Sequence, residues 1–266
     1  MKTIAFVLAT LLAAAAVPSL ASEGPDVHMA PAPIHRLDNE SLQRGARTFI
    51  NYCLTCHTAK YMRYNRLTDI GLSEQDIRDN LILTDAKIGD TMTIALTAAD
   101  AKLWFGAAPP DLSVEARVRG VDWLYNYMNA FYRDPKSATG WNNLLFHNVG
   151  MPHVLSELQG TKKAVVTEFE DHEMALGAAI AVKGLVELAP APGGKWTVTT
   201  LETDTPGTQS QVQYENTVAD LVNYMDYMAE PAKNHRIRVG MYALLFLGIL
   251  FVFAYALKRE YWRDVH

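Results

Sequence analysis

Cys53-Leu54-Thr55-Cys56-His57 is the place in the chain where sulfur and imidazole meet at a spacing with chemical meaning. Two thiols separated by two residues can add across the two vinyl groups of a porphyrin, and a histidine directly after the second is then held beneath the iron as an axial ligand. The sequence has no other cysteine. A disulfide between Cys53 and Cys56 is a rival use of the pair, permitted in an oxidising compartment, but it leaves His57 unexplained. A zinc site asks for four ligands, usually with a second Cys or His pair at short spacing, and no such pair is present. A thioredoxin-like dithiol asks for a preceding strand in a βαβ context, whereas the residues before Cys53 read as helix. The pattern predicts one covalently bound haem c, with iron as the metal.

A haem held in this way either takes a sixth ligand and transfers electrons, or keeps an open side and binds small molecules. Met62 is too close to His57 to reach the opposite face, Met225 and Met228 fall in a helical pattern, and Met241 lies in a membrane-length apolar run. Met29, Met92, Met128, Met151 and Met174 remain. Met151 is the best placed, because Gly150 and Pro152 impose an irregular backbone that can turn a side chain inward from a loop. Its thioether is a neutral, soft donor that favours ferrous iron and raises the reduction potential. His147 and His153 are competitors on the same loop, read here as residues at the surface or behind the ligands.

These groups need elements to carry them. Asp38 to Tyr52 spaces Leu42, Ala46, Phe49 and Ile50 three and four apart, which predicts an amphipathic helix delivering the chain to Cys53, with Asn39 or Ser41 available as its cap. Gly45 within it suggests close approach by another helix. Val218, Leu221, Val222, Met225 and Met228 repeat the helical interval over 212–227, and this second helix is expected to cross the first. Its Tyr224 and Tyr227 either edge the haem crevice or simply pack. Between the two lies 159–213, where Val182–Leu188 and Trp196–Leu201 flank Pro190, Pro192, Gly193 and Gly194 and predict a small hairpin. The acidic cluster Glu168, Glu170, Asp171 and Glu173 before it reads as a solvated face or a surface for a basic partner.

The ends of the chain speak of a membrane. Residues 1–21 carry Lys2, an apolar run from Ile4 to Val17 and the small-residue close Ser19-Leu20-Ala21, which reads as a cleaved export signal rather than a retained anchor. Val239–Leu257 is nineteen residues without a charge, close to the roughly 20 needed to span a bilayer. Tyr242, Tyr255, Tyr261 and Trp262 sit near its ends, as interfacial aromatics do. A transmembrane helix over 236–258 is expected, with 22–235 as a periplasmic haem domain and 259–266 as a cytoplasmic tail. Basic residues flank the span equally, so the export signal decides the orientation. With Lys2, Arg236, Arg238 and the tail from Lys258 set aside, the overall charge of -5 becomes about -9 for the outer domain, a surface suited to basic proteins and not to nucleic acid. The 49% hydrophobic and 20% charged composition excludes a disordered or collagen-like chain.

With these residues in place the sequence resembles the cytochrome c1 family, the haem subunits of the bacterial cytochrome bc1 (ubiquinol:cytochrome c oxidoreductase) complex. The resemblance spans most of 36–262 and rests on Cys53-Leu54-Thr55-Cys56-His57 followed by Lys60-Tyr61-Met62-Arg63-Tyr64, on Gly106-Ala107-Ala108-Pro109-Pro110-Asp111-Leu112-Ser113, on Gly150-Met151-Pro152, and on the anchor after Glu230-Pro231. It implies that Cys53 and Cys56 bind the haem, that His57 and Met151 are the axial ligands, that Pro109 and Pro110 pack beside the porphyrin, and that Arg117 meets a haem propionate. The fold it implies is mainly α, a cytochrome-c-like haem domain with small β and loop insertions and one C-terminal transmembrane helix. The function it implies is electron relay without acid, base or nucleophile. Electrons would come from the Rieske iron–sulfur protein, with cytochrome b alongside, and leave to a soluble or tethered cytochrome c at the periplasmic face of the inner membrane. The sequence lacks the extra cysteine pair some bacterial relatives carry, and it matches the family least over 159–213. Two other readings remain, a free-standing membrane-tethered cytochrome and an open-site haem enzyme or gas sensor.

Overall fold

The described residues, 26–182 and 184–263 of a computed structural model, open with a short strand that feeds a helix. The expected export signal at 1–21 and the last residues of the tail, 264–266, lie outside the described residues. The elements run β1 (Asp26–His28), α1 (Asn39–Thr48), a π-helical turn (Phe49–Cys53), β2 (Ala59–Arg63), a 3-10 segment (Tyr64–Ile70), α2 (Glu74–Asn80), β3 (Thr91–Met92), α3 (Ala98–Phe105), α4 (Glu115–Val118) and α5 (Val121–Asn129). They continue as β4 (Phe131–Arg133), β5 (Trp141–Asn143), α6 (Ser156–Gln159), β6 (Gly160–Phe169), α7 (His172–Ala181), β7 (Val186–Pro190), β8 (Trp196–Pro206), α8 (Gln211–Ala229) and α9 (Lys233–Tyr261). The architecture is mainly helical with small sheets.

Helix α1 opens at Asp38, whose carboxylate accepts from the Ser41 amide at 3.1 Å. The cap is therefore Asp38, one residue before Asn39 and three before Ser41. Ser41 faces inward instead, where its hydroxyl accepts from Asn223 at 2.9 Å. Helix α8 opens with a reciprocal box between Ser210 and Gln213, which satisfies two amides that helix geometry leaves without partners. The two helices cross at Gly45: a Cβ there would lie 2.0 Å from the Asp220 carbonyl oxygen and 2.7 Å from the Tyr224 Cβ. Glycine is thus required by the crossing, and Arg44 clamps the same point through Asp220 at 2.6 Å.

Leu42, Ala46, Phe49 and Ile50 of the first segment are buried against Val218, Leu221, Val222 and Tyr224 of α8, joined by Tyr64, Leu67, Ile70, Met92 and Tyr214. Burying each large apolar side chain stabilises the fold by about 1.5–3 kcal/mol. Tyr224 is fully enclosed, with its hydroxyl 3.6 Å from the Met92 sulfur, so it packs rather than edging a crevice.

A four-stranded antiparallel sheet of order β1-β7-β8-β6 stands beside this core. Strands β7 and β8 form a hairpin closed near Pro192–Gly194. Ala175 of α7 with Val186, Leu188 and Val198 makes a second, much smaller cluster. Helix α9 is long and apolar enough over His235–Tyr261 to cross a membrane, its most apolar 18 residues having a mean hydropathy of 2.2 and no cover from the other described residues. A helix of that length and surface is a membrane anchor, passing once.

Candidate functional site

The Cys-x-x-Cys-His run sits where a helix widens and ends. Helix α1 continues into the π turn, so the Leu54 amide bonds back to the Phe49 carbonyl at 3.0 Å, and Cys53 enters the buried core. The Cys56 and His57 amides both bond to the Cys53 carbonyl, at 3.1 and 2.9 Å, which folds the three residues into one tight turn. Both thiols are free, which sets aside the disulfide. Burial, with Cys56 close by, pushes the Cys53 thiol up to about 12, so it is held as a thiol rather than a metal-binding thiolate.

His57 is oriented by a group far away in sequence. Its Nδ1–H donates to the Pro110 carbonyl oxygen at 2.8 Å, which fixes the tautomer and leaves Nε2 as the coordinating nitrogen. Burial lowers the His57 pKa, partly opposed by that hydrogen bond and by Glu115 and Asp111, so the ring stays neutral and its Nε2 lone pair is open to a metal. The position of Pro110 is itself enforced by Asp111. Its Oδ2 accepts from the Thr58 hydroxyl at 2.7 Å and the Lys60 amide at 2.9 Å, and its Oδ1 from the Ser113 amide at 3.0 Å. The Leu112 amide adds a bond to the Thr58 carbonyl at 2.8 Å. Burial alone raises the Asp111 pKa, but the bonds from Ser113, Thr58 and Lys60 outweigh it and leave the carboxyl below its ordinary value. The Pro109-Pro110-Asp111-Leu112-Ser113 stretch is in this sense a staple on the Cys-x-x-Cys-His turn.

Met151 lies on the loop that follows β5. It is half-buried, packed against the main core, and its sulfur accepts from the Tyr127 hydroxyl at 3.6 Å. Tyr127 lies on α5 with its ring stacked on Trp123, centroids 4.8 Å apart, and Arg119 caps Trp123 at 4.9 Å. Burial, against the pull of Arg119, drives the phenol pKa far above its usual range, so the hydroxyl keeps its proton for the sulfur. The loop reaches the other half of the site through Gly150, whose missing Cβ would lie 3.9 Å from the Phe105 carbonyl at the end of α3.

The competing histidines on this loop are committed elsewhere. His147 Nε2 is 2.7 Å from Glu187 Oε1, a contact that ties the loop to β7. His153 is buried in the core rather than at the surface, stacked on Phe131 at 4.9 Å with Nε2 2.7 Å from Gln159 Oε1. Burial lowers its pKa to about 4, so it is a neutral packing residue. Of the other methionines considered, Met92 and Met128 are buried in the core, while Met29 and Met174 are 42% and 56% exposed on the surface.

The remaining site residues stand around this pair. Pro109 is half-buried beside Pro110. Arg117 on α4 is exposed and, among the described residues, has no ion-pair partner, so its guanidinium is free to take a carboxylate. Half-buried Tyr52, Leu112, Trp123, Tyr127 and Val154 pack against the core in the same region, an apolar lining suited to a flat porphyrin. Thiols, tied imidazole, restrained thioether and apolar lining together fit a haem. Sequence reasoning missed Thr58, Asp111 and Tyr127. Tyr127 left a signal in the aromatic ladder Trp123, Tyr127, Phe131 at four-residue spacing, and Asp111 lies in the Pro-Pro-Asp-Leu-Ser stretch that carries the resemblance; Thr58 left none.

A mainly helical domain with a free Cys-x-x-Cys-His turn, a loop methionine held by a tyrosine hydroxyl and, among the described residues, one membrane-length helix defines a membrane-anchored c-type cytochrome. The sequence profile of the Cytochrome C1 family matches residues 29–175 and 198–265, and the chain belongs to that family. It is 45% identical to a cytochrome c1 of Allochromatium vinosum, covering 98% of both chains. It is 30% identical to a cytochrome c1 of Rhodospirillum rubrum, over 86% of this chain and 84% of that one. It is also 46% identical, over the whole of both chains, to a Nitrosomonas europaea protein named as an ammonia monooxygenase gamma subunit. The profile leaves 176–197 unmatched, a narrower departure than 159–213, covering most of α7 and all of β7. The chain is accordingly a haem electron-transfer subunit in the membrane context of a bc1 complex, with one covalently bound haem c, and is not an enzyme on its own.

Proposed function

We propose that this chain relays single electrons from the Rieske iron–sulfur protein to a soluble or tethered cytochrome c, on the periplasmic side of the inner membrane beside cytochrome b. In this reading Cys53 and Cys56 hold the haem covalently, His57 and Met151 are its axial ligands, Pro109 and Pro110 flank it and Arg117 meets a propionate. The haem, when bound, supplies one reversible electron at the iron. The residues supply everything else. Pro110 keeps the His57 ring turned, Met151 closes the second side so that no reactant enters, and the Tyr127 hydroxyl holds the sulfur in place.

The observation that carries this reading is the pairing of the His57–Pro110 bond on one side with the Tyr127–Met151 contact on the other. Two restrained donors suit electron transfer, where little rearrangement accompanies a change of valence, better than an open site. The family and the single anchor favour a place in the complex over a free-standing shuttle. Capture of the full-length chain from mild detergent through a tag on its C-terminal tail tests the partners. Recovery of a b-type cytochrome and an iron–sulfur protein supports the relay. The name of the Nitrosomonas europaea relative raises a second partner, an ammonia monooxygenase, and capture of that enzyme in place of cytochrome b would favour it.

A further inference from the structure

At the foot of the haem domain, away from the proposed ligands, two cavities share Arg36 and Leu37. The larger, about 530 Å³, is lined by Arg36, Leu37, Arg66, Tyr227, Pro231 and His235 among others. Its neighbour, about 490 Å³, adds His35 and Lys233. Both are therefore walled partly by the domain and partly by the first turn of α9. We propose that this paired cavity binds the headgroup phosphate of an anionic phospholipid.

Depth is the first argument. The uncharged run begins at Val239, so a rise of 1.5 Å per residue puts His235 about 6 Å and Lys233 about 9 Å beyond the hydrocarbon edge. The headgroup layer on each side of a bilayer is about 5–8 Å thick. The cavity floor thus lies at the level of lipid phosphates.

Charge is the second. Arg36 is anchored by Asp226, through both its carboxylate and its backbone carbonyl, and Arg66 by Asp69 at 2.8 Å. Tyr227 braces the same wall by donating to the Arg66 carbonyl at 3.0 Å. Those cations are held in position, and the remaining guanidinium hydrogens are available to an oxyanion. Lys233 has no carboxylate partner among the described residues, so the lining carries one cation beyond the two that Asp226 and Asp69 pair. The contrast is sharp on a domain whose overall balance is acidic.

Surface chemistry distinguishes a lipid from free phosphate. Leu37 is 81% exposed at the cavity, and Pro231 and Ala232 continue an apolar wall toward α9. Below them the helix offers bare apolar side chains, Val239 and Met241 among them, along which acyl chains can lie. A small inorganic anion has no use for that track.

The test uses the full-length holoprotein in nanodiscs of equal phosphatidylcholine and phosphatidylglycerol. After extraction into mild detergent, the retained lipid is counted by mass spectrometry. The wild type should retain phosphatidylglycerol over phosphatidylcholine at least fivefold. Lys233→Gln/His235→Gln should bring that ratio close to one, and Lys233→Gln alone should lower it if the double variant folds poorly, as judged by its haem spectrum. Arg259→Gln, a charge removed at the far end of the same helix, should leave the ratio unchanged, and inorganic phosphate should not displace the lipid. Equal retention of both lipids by the wild type, an equal loss in Arg259→Gln, or displacement by inorganic phosphate would overturn the proposal.

Discussion

On one side of the proposed haem site His57 is aimed by a backbone carbonyl 2.8 Å away; on the other Met151 is aimed by a tyrosine hydroxyl 3.6 Å from its sulfur. The first restraint belongs to the main chain, sits behind a carboxylate staple and adjoins two thiols. The second is a side-chain contact on a loop with a glycine and a proline beside the ligand. On the proposed ligation, the comparison teaches that the cysteine side is built for permanence, while the methionine side is where the potential is adjusted. Changes on the first should cost the cofactor or the fold. Changes on the second should move a redox equilibrium and leave the cofactor in place.

The largest effect is expected from Cys53→Ala or Cys56→Ala, which should lower covalent haem retention and mature protein yield severely, measured by haem staining after denaturing electrophoresis. Normal covalent haem in both variants would break the comparison at its root. Met151→Leu comes next. The haem should remain attached, while the ferrous-to-ferric ratio at a fixed potential falls at least about tenfold, a drop of about 59 mV or more for one electron. A redox titration that matches the wild type would remove Met151 from the ligands.

Asp111→Ala should destabilise the fold by about 1–3 kcal/mol, since charged hydrogen bonds from Thr58, Lys60 and Ser113 are lost together. Because the folded pKa of Asp111 is lower than its ordinary 3.8, its contribution is complete above about pH 4 and is lost as the pH falls through the lower folded value. Denaturant titrations should show a shallower acid loss in the variant. The smallest effect is expected from Tyr127→Phe, where a bond of about 0.5 kcal/mol is removed and the ferrous-to-ferric ratio falls about twofold. Methionine coordination should survive in that variant, which separates adjustment from ligation.

Much of this division is legible in the sequence because the attachment side is written locally. Five consecutive residues name the chemistry, and the intervals in 38–52 and 212–227 foretell two helices and, through Gly45, their crossing. The anchor is equally local, a run of nineteen uncharged residues. What the sequence hides is long-range. The partner of His57 is a main-chain oxygen 53 positions away, and no side-chain type announces it. Strand β6 escaped because Lys162, Lys163 and Glu168 blur its alternation, and its identity as a strand depends on pairing with β8. The Pro192–Gly194 turn, by contrast, marked the β7–β8 hairpin directly. The sequence puts His153 at the surface or behind the ligands, because nothing nearby in it reveals the Phe131 ring that covers the side chain.

Carbon monoxide added to the reduced native holoprotein at neutral pH addresses the closed iron most directly. With His57 and Met151 both bound, the visible spectrum should stay that of the reduced protein alone. A stoichiometric carbonyl adduct would show a side open to small molecules and would contradict the assignment of this site to electron transfer.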